Sequence, residues 1–318
     1  MRVSSDTSTL VRQFGAEDAF RMIREAGFEA VDWGIDGDWK IKEIAAAERL
    51  EGHTVLEKSV DEIEAYFAEQ LTEIRANGLA ITQAHAPFPA YLPGRPDVLE
   101  YAIGIYKQVI RFCAAVGCPR VVIHGITKQE IDTELTPDEC ERLNLHLYES
   151  LIPTLREVKT VTVCLENLFT TARELGAMNS FTFWEGCCSD PHTAVRWIDH
   201  LNGLAGASYF GLCLDTGHLH VLSKPFHAYV PILGDRIVAL HIQDTDPVTD
   251  RHLMPYTGTV RWADFLREMK AVGYKGDLSF ETFAQIKSER LPRALVPTFL
   301  HTTAEIGRYF RSELIESK

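Results

Sequence analysis

The chain has 318 residues, of which 46% are hydrophobic and 24% charged, as expected for a globular protein with a large core. Its formal net charge of −13 disfavours nucleic acid as a partner, because proteins that bind the phosphate backbone usually carry clustered lysine and arginine. No apolar run approaches the length of a membrane span, so no membrane partner is expected.

The seven cysteines lack the paired spacing of a disulfide framework, and the first twenty residues contain no continuous apolar stretch of the kind found in secretory signals. These two features predict a cytoplasmic protein with reduced thiols.

Strand-like and helix-like segments alternate along the first half of the chain. Apolar runs predict strands over 1–5, 30–35, 79–85, 120–124 and 160–166. Amphipathic segments predict helices over 15–26, 60–76, 97–116 and 136–158. Gly27 and Gly117 provide helix stops, and Thr136-Pro137-Asp138-Glu139 is a helix start.

The alternation continues through the second half. A long segment over 167–190 is predicted as a loop, and its aromatic residues fit either a packed surface loop or a lid over a site. Strands are predicted over 209–215, 237–241 and 278–281, and helices over 191–201, 224–234, 262–272 and 290–309. Eight strand–helix units predict an α/β protein with a (β/α)8 TIM barrel as a single domain over 1–318.

Polar, metal-binding side chains end the six later strands. These residues are His85, His124, Glu166, Asp215, His241 and Glu281. A barrel brings the carboxyl ends of its strands together at one mouth, where barrel enzymes have their active sites. Crowded carboxylates repel one another unless a cation lies between them. Mixed carboxylate and imidazole ligands predict a divalent metal, with Zn²⁺ or Mn²⁺ favoured over Co²⁺ or Mg²⁺.

Several motifs resemble those of the xylose-isomerase-like TIM barrels, a superfamily of sugar and sugar phosphate isomerases and epimerases that also includes the apurinic-site endonucleases. The motifs are Leu165-Glu166-Asn167, Leu214-Asp215-Thr216-Gly217-His218, His241-Ile242-Gln243-Asp244-Thr245-Asp246, Asp250-Arg251-His252 with Pro255 and Gly258, and Ser279-Phe280-Glu281-Thr282. The resemblance extends over nearly the whole chain.

The isomerase and epimerase pattern implies that one metal is bound by Glu166, Asp215, His241 and Glu281. It also implies that Glu166 and Glu281 form an acid/base pair, which moves a proton through a metal-stabilised enediolate. Candidate substrate contacts are His85, His124, His218, Arg251 and Trp184, with Trp33 as a further aromatic wall or a core residue. Ketose epimerases usually carry an arginine near the position that Pro247 occupies in this chain. The arginine nearest to that position is Arg251.

The endonuclease pattern implies three zinc ions on nine residues. One ion would be held by His85, His124 and Glu166, a second by Glu166, Asp215, His241 and Glu281, and a third by His218, Asp250 and His252. The acidic charge, and the lack of basic or aromatic loops that could enter a duplex, oppose DNA chemistry.

Three functions are therefore open. The favoured one is a divalent-metal-dependent isomerase or epimerase of a small sugar, sugar phosphate or related polyol. The alternatives are a zinc-cluster phosphoesterase and a non-catalytic metal-binding barrel. Lys224 and Lys287 are either ordinary surface lysines, which is the favoured interpretation, or contacts for a substrate phosphate. The sequence leaves a homo-oligomer open.

Overall fold

Strands and helices alternate along the chain in the computed structural model, which describes residues 1–127, 135–173, 181–287 and 291–315. The strands are β1 (Val3–Asp6), β2 (Ala30–Gly34), β3 (Ala80–His85), β4 (Arg120–Val122), β5 (Thr162–Glu166), β6 (Phe169–Arg173), β7 (Phe181–Glu185), β8 (Phe210–Asp215), β9 (Ile237–His241), β10 (Asp244–Asp246), β11 (Thr249–Leu253) and β12 (Leu278–Phe280). The helices are α1 (Ser8–Phe14), α2 (Ala16–Ala26), α3 (Ile41–Ala46), α4 (Val60–Tyr66), α5 (Ala68–Ala76), α6 (Pro96–Val116), α7 (Pro137–Glu149), α8 (Ile152–Val158), α9 (Pro191–Ala205), α10 (Thr216–Val221), α11 (Phe226–Leu233), α12 (Trp262–Ala271), α13 (Ala284–Lys287) and α14 (Val296–Ile315).

Eight of the strands form one parallel sheet in the order β12-β1-β2-β3-β4-β5-β8-β9. The two ends of this sheet meet where Ile242, directly after β9, bridges Phe280 of β12. There the Ile242 N–H donates to the Ser279 carbonyl at 2.8 Å, and the Glu281 N–H donates to the Ile242 carbonyl at 3.1 Å. The sheet is therefore a nearly closed barrel surrounded by helices, which confirms the predicted (β/α)8 fold.

The pleat of the strands brings four polar side chains to the mouth of the barrel. Val163 and Leu165 of β5 belong to the large core between sheet and helices, whereas Cys164 belongs to a separate small cluster. That cluster comprises Val122, Cys164, Cys213 and Ala239, one residue from each of four neighbouring strands. Side chains two residues apart share a face of a strand, so the next inward positions are His124, Glu166, Asp215 and His241. The polar side chains thus lie directly above a layer of small apolar residues.

Aromatic side chains fill part of the core between sheet and helices. Trp33 of β2 is fully buried, and its indole lies 5.1 Å from the Phe67 ring and 5.6 Å from the Phe112 ring. Its indole N–H donates to Gln70 Oε1 at 2.7 Å. Of the two predicted roles for Trp33, the structure supports the core residue.

Some predicted elements are divided in the structure. The helix predicted over 136–158 is α7 followed by α8, and the break lies just before Pro153, which has no N–H to continue the helical hydrogen bonds. The loop predicted over 167–190 contains an antiparallel hairpin of β6 and β7, with residues 174–180 outside the described ranges. A second antiparallel hairpin, β10–β11, follows β9. In the part of the chain that the structure describes, no helix is long and apolar enough to cross a membrane.

Two helical glycines provide a matched test of the packing around the barrel. A Cβ at Gly307 of α14 would lie 2.3 Å from Val3 Cγ1 and 2.9 Å from Phe280 Cε2. A Cβ at the exposed Gly104 of α6 would have no neighbour within 4 Å. We expect Gly307→Ala to lower the free energy of unfolding by about 1–3 kcal/mol because the core must move apart. Gly104→Ala should raise it by about 0.5–1 kcal/mol, since alanine favours the helix.

Chemical denaturation followed by circular dichroism measures both changes. A stability change of the same sign in the two variants would contradict the close packing of α14 on β1 and β12.

Candidate active site

A cavity of about 660 Å³ opens at the carboxyl-terminal mouth of the barrel. Its lining combines strand-end polar side chains with aromatic rings from the loops, namely Trp39, Phe88, Phe169 and Phe283. Sites for small molecules usually measure roughly 300–1,000 Å³. The mouth therefore has room for a small organic molecule beside the polar side chains.

Glu166, the last residue of β5, contacts four imidazoles and is almost completely buried. Its Oε2 lies 2.9 Å from His124 Nε2 and 3.9 Å from His85 Nε2. Its Oε1 lies 3.3 Å from Nδ1 of both His218 and His241. A carboxylate with imidazoles around both oxygens is positioned to bridge two neighbouring cation sites.

The β10–β11 hairpin brings two further side chains to the mouth. His252 Nε2 lies 3.0 Å from Asp250 Oδ2, and His252 Nδ1 lies 3.2 Å from Glu281 Oε2. Asp250 Oδ2 is also 3.7 Å from His218 Nε2, and Glu281 Oε2 is 3.8 Å from His241 Nδ1. The hairpin residues therefore join the side chains from the barrel strands in one continuous polar cluster.

Asp244 fixes the base of this hairpin. Its carboxylate is buried and accepts hydrogen bonds from the N–H groups of Thr245 at 2.8 Å and Val260 at 3.0 Å, and from the indole of Trp262 at 3.0 Å. Gly258 packs so closely that a Cβ there would lie 2.4 Å from Asp244 Oδ1. These contacts hold the hairpin against the barrel and explain why glycine stands at position 258.

Four sets of three side chains each bring one donor atom from every member within 4.8 Å of the others, among the described residues. The sets are His85–His124–Glu166, His218–Asp250–His252, Glu166–Asp215–His241 and Asp215–His252–Glu281. Together they contain all nine residues that the sequence motifs single out as ligands. We refer to these nine residues as the donor cluster.

Buried polar atoms without hydrogen bonds test whether the donor cluster fits a cation. Glu166 Oε2, Asp215 Oδ2 and both ring nitrogens of His241 are buried, and their polar neighbours, such as His124 and Asp32, form no well-aligned hydrogen bond with them. Such atoms in folded proteins are nearly always hydrogen-bonded or bound to an ion. Carboxylate oxygens and imidazole nitrogens are the donors that Zn²⁺ and Mn²⁺ accept. The residues of the donor cluster therefore fit a divalent cation.

The charges of the donor cluster shift one another's pKa values. Burial raises the pKa of Asp215 to about 6, although nearby His218 opposes this change. Burial acts against the charged form of His218, but Asp215 and other carboxylates outweigh it and raise the His218 pKa to about 10. Burial also acts against ionised Glu281, yet His241 and His252 outweigh it and lower the Glu281 pKa to about 2. The protein alone thus balances its carboxylates with protonated imidazoles, which is the charge that a bound cation would supply instead.

Asp32 of β2 supports the donor cluster from behind, and the sequence motifs did not single it out. Its Oδ2 accepts hydrogen bonds from Gln83 Nε2 at 2.5 Å and Ser279 Oγ at 3.0 Å, and lies 3.2 Å from His241 Nε2. A carboxylate behind a ligating imidazole fixes the orientation of the ring. The sequence signal that could have identified Asp32 is a charged residue inside an otherwise apolar strand.

Gln243 and Asn167 hold the backbone and carboxylates of the donor cluster in place. Gln243 Nε2 donates to Asp250 Oδ1 at 2.7 Å and to Asp215 Oδ1 at 3.2 Å. Asn167 Oδ1 accepts the Asp215 N–H at 2.7 Å. A Cβ at Gly217 would lie 2.1 Å from Gln243 Nε2, so this close approach requires glycine. Both supporting residues lie inside the recognised motifs, although no role was predicted for them.

Asp6 is a second acidic residue that the sequence analysis missed. It ends β1 and lines the cavity, one residue beyond the predicted end of the first strand. Burial, followed by the charges of Glu281 and Asp32, raises its pKa to about 7.

Three of the predicted substrate contacts, His85, His124 and His218, line the cavity. Burial, with the charges of His124 and His241, lowers the pKa of His85 to about 4, which keeps this imidazole neutral. The exposed Phe88 ring lies 4.3 Å from the His124 ring at the edge of the cavity. These imidazoles are therefore accessible to a molecule in the mouth.

The other two predicted contacts, Arg251 and Trp184, do not line this cavity. Arg251 lies between Asp250 and His252 on β11, so its side chain takes the opposite face, where it is 3.0 Å from Asp246 Oδ2. Trp184 of β7 is about half exposed and lines a separate pocket beside α7 and α9.

The segment predicted as a lid contributes one aromatic ring to the site. Phe169 of β6 lines the cavity, and its ring lies 5.0 Å from the His218 ring in an edge-to-face contact. Whether the segment closes over a substrate stays a prediction, and residues 174–180 at its centre lie outside the described ranges.

The family model described as "Xylose isomerase-like TIM barrel" matches residues 20–296. Among curated proteins, the chain is 24% identical to the uncharacterized protein y4fM of Sinorhizobium fredii, covering 84% of this chain and 81% of that protein. It is 23% identical to the probable endonuclease 4 of Mycoplasma pneumoniae, covering 68% of this chain and 67% of that protein.

Solved structures with the same fold include a D-tagatose 3-epimerase-like protein, with a TM-score of 0.67, 18% identity, and coverage of 99% of this chain and 98% of that chain. The D-allulose 3-epimerase of Methylomonas sp. superposes with a TM-score of 0.66 at 15% identity, covering 98% of this chain and 96% of the other. The 3-keto-D-glucoside 4-epimerase of E. coli has a TM-score of 0.63 at 15% identity, covering 98% and 99%. At these identities the likeness establishes the fold.

Proposed function

Because this chain belongs to the xylose isomerase-like TIM barrel family, we propose that it is a metal-dependent isomerase or epimerase of a small sugar, sugar phosphate or related polyol. The cavity beside the donor cluster has a suitable volume for such a molecule. Solved structures that share the fold include several sugar epimerases, which supports the same class of reaction here.

The observation that carries this proposal is the position of two carboxylates around one imidazole. His241 Nδ1 lies 3.3 Å from Glu166 Oε1 and 3.8 Å from Glu281 Oε2. Glu166 ends β5 and Glu281 follows β12, and the strands β8 and β9 separate them around the barrel. Two carboxylates that approach one space from different sides can remove a proton from one face of a carbon and return a proton to the other.

Four members of the donor cluster, Glu166, Asp215, His241 and Glu281, would hold one divalent cation, with Zn²⁺ or Mn²⁺ favoured and Co²⁺ or Mg²⁺ as alternatives. When bound, such an ion supplies Lewis-acid polarisation of a substrate carbonyl, which makes the neighbouring C–H more acidic. The buried polar atoms of Glu166, Asp215 and His241 that form no hydrogen bond support this assignment.

Side chains of the protein then transfer the proton and orient the substrate hydroxyl groups. The carboxylate of Glu281 lies at the cavity, where it can accept a proton from a substrate carbon. His85 is neutral at neutral pH, and its Nδ1–H donates to the Ala86 carbonyl at 2.8 Å, so its Nε2 is an acceptor suited to a hydrogen bond from a substrate hydroxyl.

Exchange of solvent hydrogen tests the proposed reaction. Metal-loaded protein is incubated in D2O with a panel of aldoses and ketoses, together with their phosphates and acids. We expect deuterium on the carbon next to the carbonyl of at least one sugar, seen by NMR and mass spectrometry, with an isomer or epimer formed alongside it. Protein kept free of divalent metal is the control. Fully metal-loaded protein that exchanges no hydrogen with any member of the panel would contradict the proposal and favour a non-catalytic barrel.

Hydrolysis of a phosphoester by a zinc cluster is a second candidate. The overlapping sets of donors favour it, because nine ligands exceed what one ion needs. Two-metal and three-metal clusters stabilise the charge that develops on a phosphoryl group. The similarity to the probable endonuclease 4 of M. pneumoniae supports the same idea. The number of ions bound per chain separates this candidate from the first.

A further inference from the structure

Two cationic side chains, Arg12 and Lys287, line the cavity in the described part of the chain. Both are exposed at its mouth, and neither forms an ion pair with any described carboxylate. Lys224, the other lysine considered for an anion, instead lies 2.6 Å from Glu185 Oε1. Arg12 and Lys287 are thus free to pair with an anion that enters the cavity.

The fold holds these two cations at the same side of the mouth. Arg12 lies on α1, which follows β1, and Lys287 ends α13, which follows β12, and these two strands are neighbours in the barrel. Gln13 Nε2 donates to the Ile286 carbonyl at 3.0 Å, which joins the residues next to the two cations. The contact between α1 and α13 therefore holds the two positive charges at the same side of the mouth.

An aromatic ring connects this cationic side with the donor cluster. The Lys287 Nζ lies 5.5 Å from the centre of the Phe283 ring. The same ring lies 4.4 Å from the His252 ring, nearly parallel to it. Ser8, four residues before Arg12 on α1 and so on the same helical face, also lines the cavity. A short polyol could therefore span from the donor cluster, across Phe283, to the two cations.

We propose that the substrate carries a terminal anionic group, a phosphate monoester or a carboxylate, which Arg12 and Lys287 bind while its carbonyl end lies at the donor cluster. The inference rests on the proposed isomerase or epimerase function. Arg12 and Lys287 attract an anion to one side of the mouth, so their charges favour the orientation in which the carbonyl end of the substrate points to the donor cluster. The guanidinium of Arg12 can also form paired hydrogen bonds with either anion.

Kinetics with matched substrates and variants test this inference. Wild type, Arg12→Ala, Lys287→Ala and the double variant are assayed with a sugar, its phosphate and its carboxylate derivative. Arg24→Ala is the matched control, because Arg24 is exposed on α2, lies outside the cavity lining and forms no ion pair with a described residue. We expect KM for the anionic substrate to rise about tenfold or more in each single variant, with the neutral sugar unaffected. The anionic substrate, phosphate or carboxylate, whose KM rises most in the variants identifies the anion that the site binds.

Binding of unreactive ligands keeps this test independent of turnover. Calorimetry with a hexitol phosphate, an aldonate and the neutral hexitol should show tighter binding of one anion to wild type, lost in the double variant and retained in Arg24→Ala. That result would stand even if no sugar were isomerised, in which case only the proposed reaction fails. Equal affinity for neutral and anionic ligands, or an unchanged preference in the double variant, would overturn the anion site.

Discussion

Replacing Glu281 by glutamine is expected to lower kcat by roughly 100- to 10,000-fold, the usual contribution of a general acid or base. The amide keeps the shape of the carboxylate, but it cannot take a proton from carbon. Glu281 lies within contact of both His241 and His252, so its substitution also removes a negative charge from the donor cluster. Glu166→Gln should have an effect of similar size. The rate of deuterium exchange and the rate of isomer formation measure both losses.

Two further variants separate the loss of a base from the loss of metal. Asp215→Asn should weaken metal binding, and excess metal should restore most of its activity, because Asp215 is proposed only as a ligand. Glu281→Gln should stay inactive at saturating metal. Glu305→Gln on α14 is the control, since Glu305 pairs with Arg308 on the surface. Wild-type kcat in Glu281→Gln at saturating metal would remove Glu281 from the acid/base pair.

Removing divalent metal is expected to abolish turnover and to destabilise the fold. A ligand present at 1,000 times its Kd stabilises a protein by about 4 kcal/mol, and that contribution disappears with the ion. The physical reason lies in the donor cluster, whose buried carboxylates and imidazoles lose the charge that balances them. Thermal unfolding with and without a chelator measures the change, and re-addition of Zn²⁺, Mn²⁺, Co²⁺ or Mg²⁺ identifies the ion that restores activity.

Elemental analysis of the purified protein counts the ions. About one ion per chain supports the isomerase or epimerase, whereas three would favour the zinc-cluster phosphoesterase, by the ligand numbers usual for each. Chelator already saturated with Zn²⁺ serves as the control for effects unrelated to metal removal. Unchanged activity and stability in a protein shown to contain no metal would refute the metal-dependent mechanism.

Much of this site could be anticipated from the sequence because the signal is local. An apolar run that ends in a polar residue marks a strand end, and the barrel geometry brings such ends together. That pattern predicts the positions of Glu166, Asp215 and His241 at the ends of β5, β8 and β9. The motif around Asp250 and His252 likewise predicts two ligands, since residues two apart on a strand share a face.

The remainder depends on three-dimensional contacts that leave no pattern in the chain. Asp32 of β2 contacts His241 of β9 and Ser279 of β12 through side chains inside the barrel, and these three residues are distant in sequence. Arg251 was chosen for its place in a motif, but the pleat of β11 directs it away from the cavity. Trp184 is aromatic and lies in a long connection, and neither property specifies which pocket it faces.

The β10–β11 hairpin supplies its two ligands from outside the barrel strands. Asp244 anchors the hairpin at its base. The sequence of β11 can therefore change while the eight-stranded barrel keeps its own hydrogen bonds. During evolution, a few substitutions at positions 250 and 252 would therefore change how many ions the mouth retains and leave the barrel intact. Descendants of one ancestral barrel can in this way diverge between mononuclear and polynuclear chemistry.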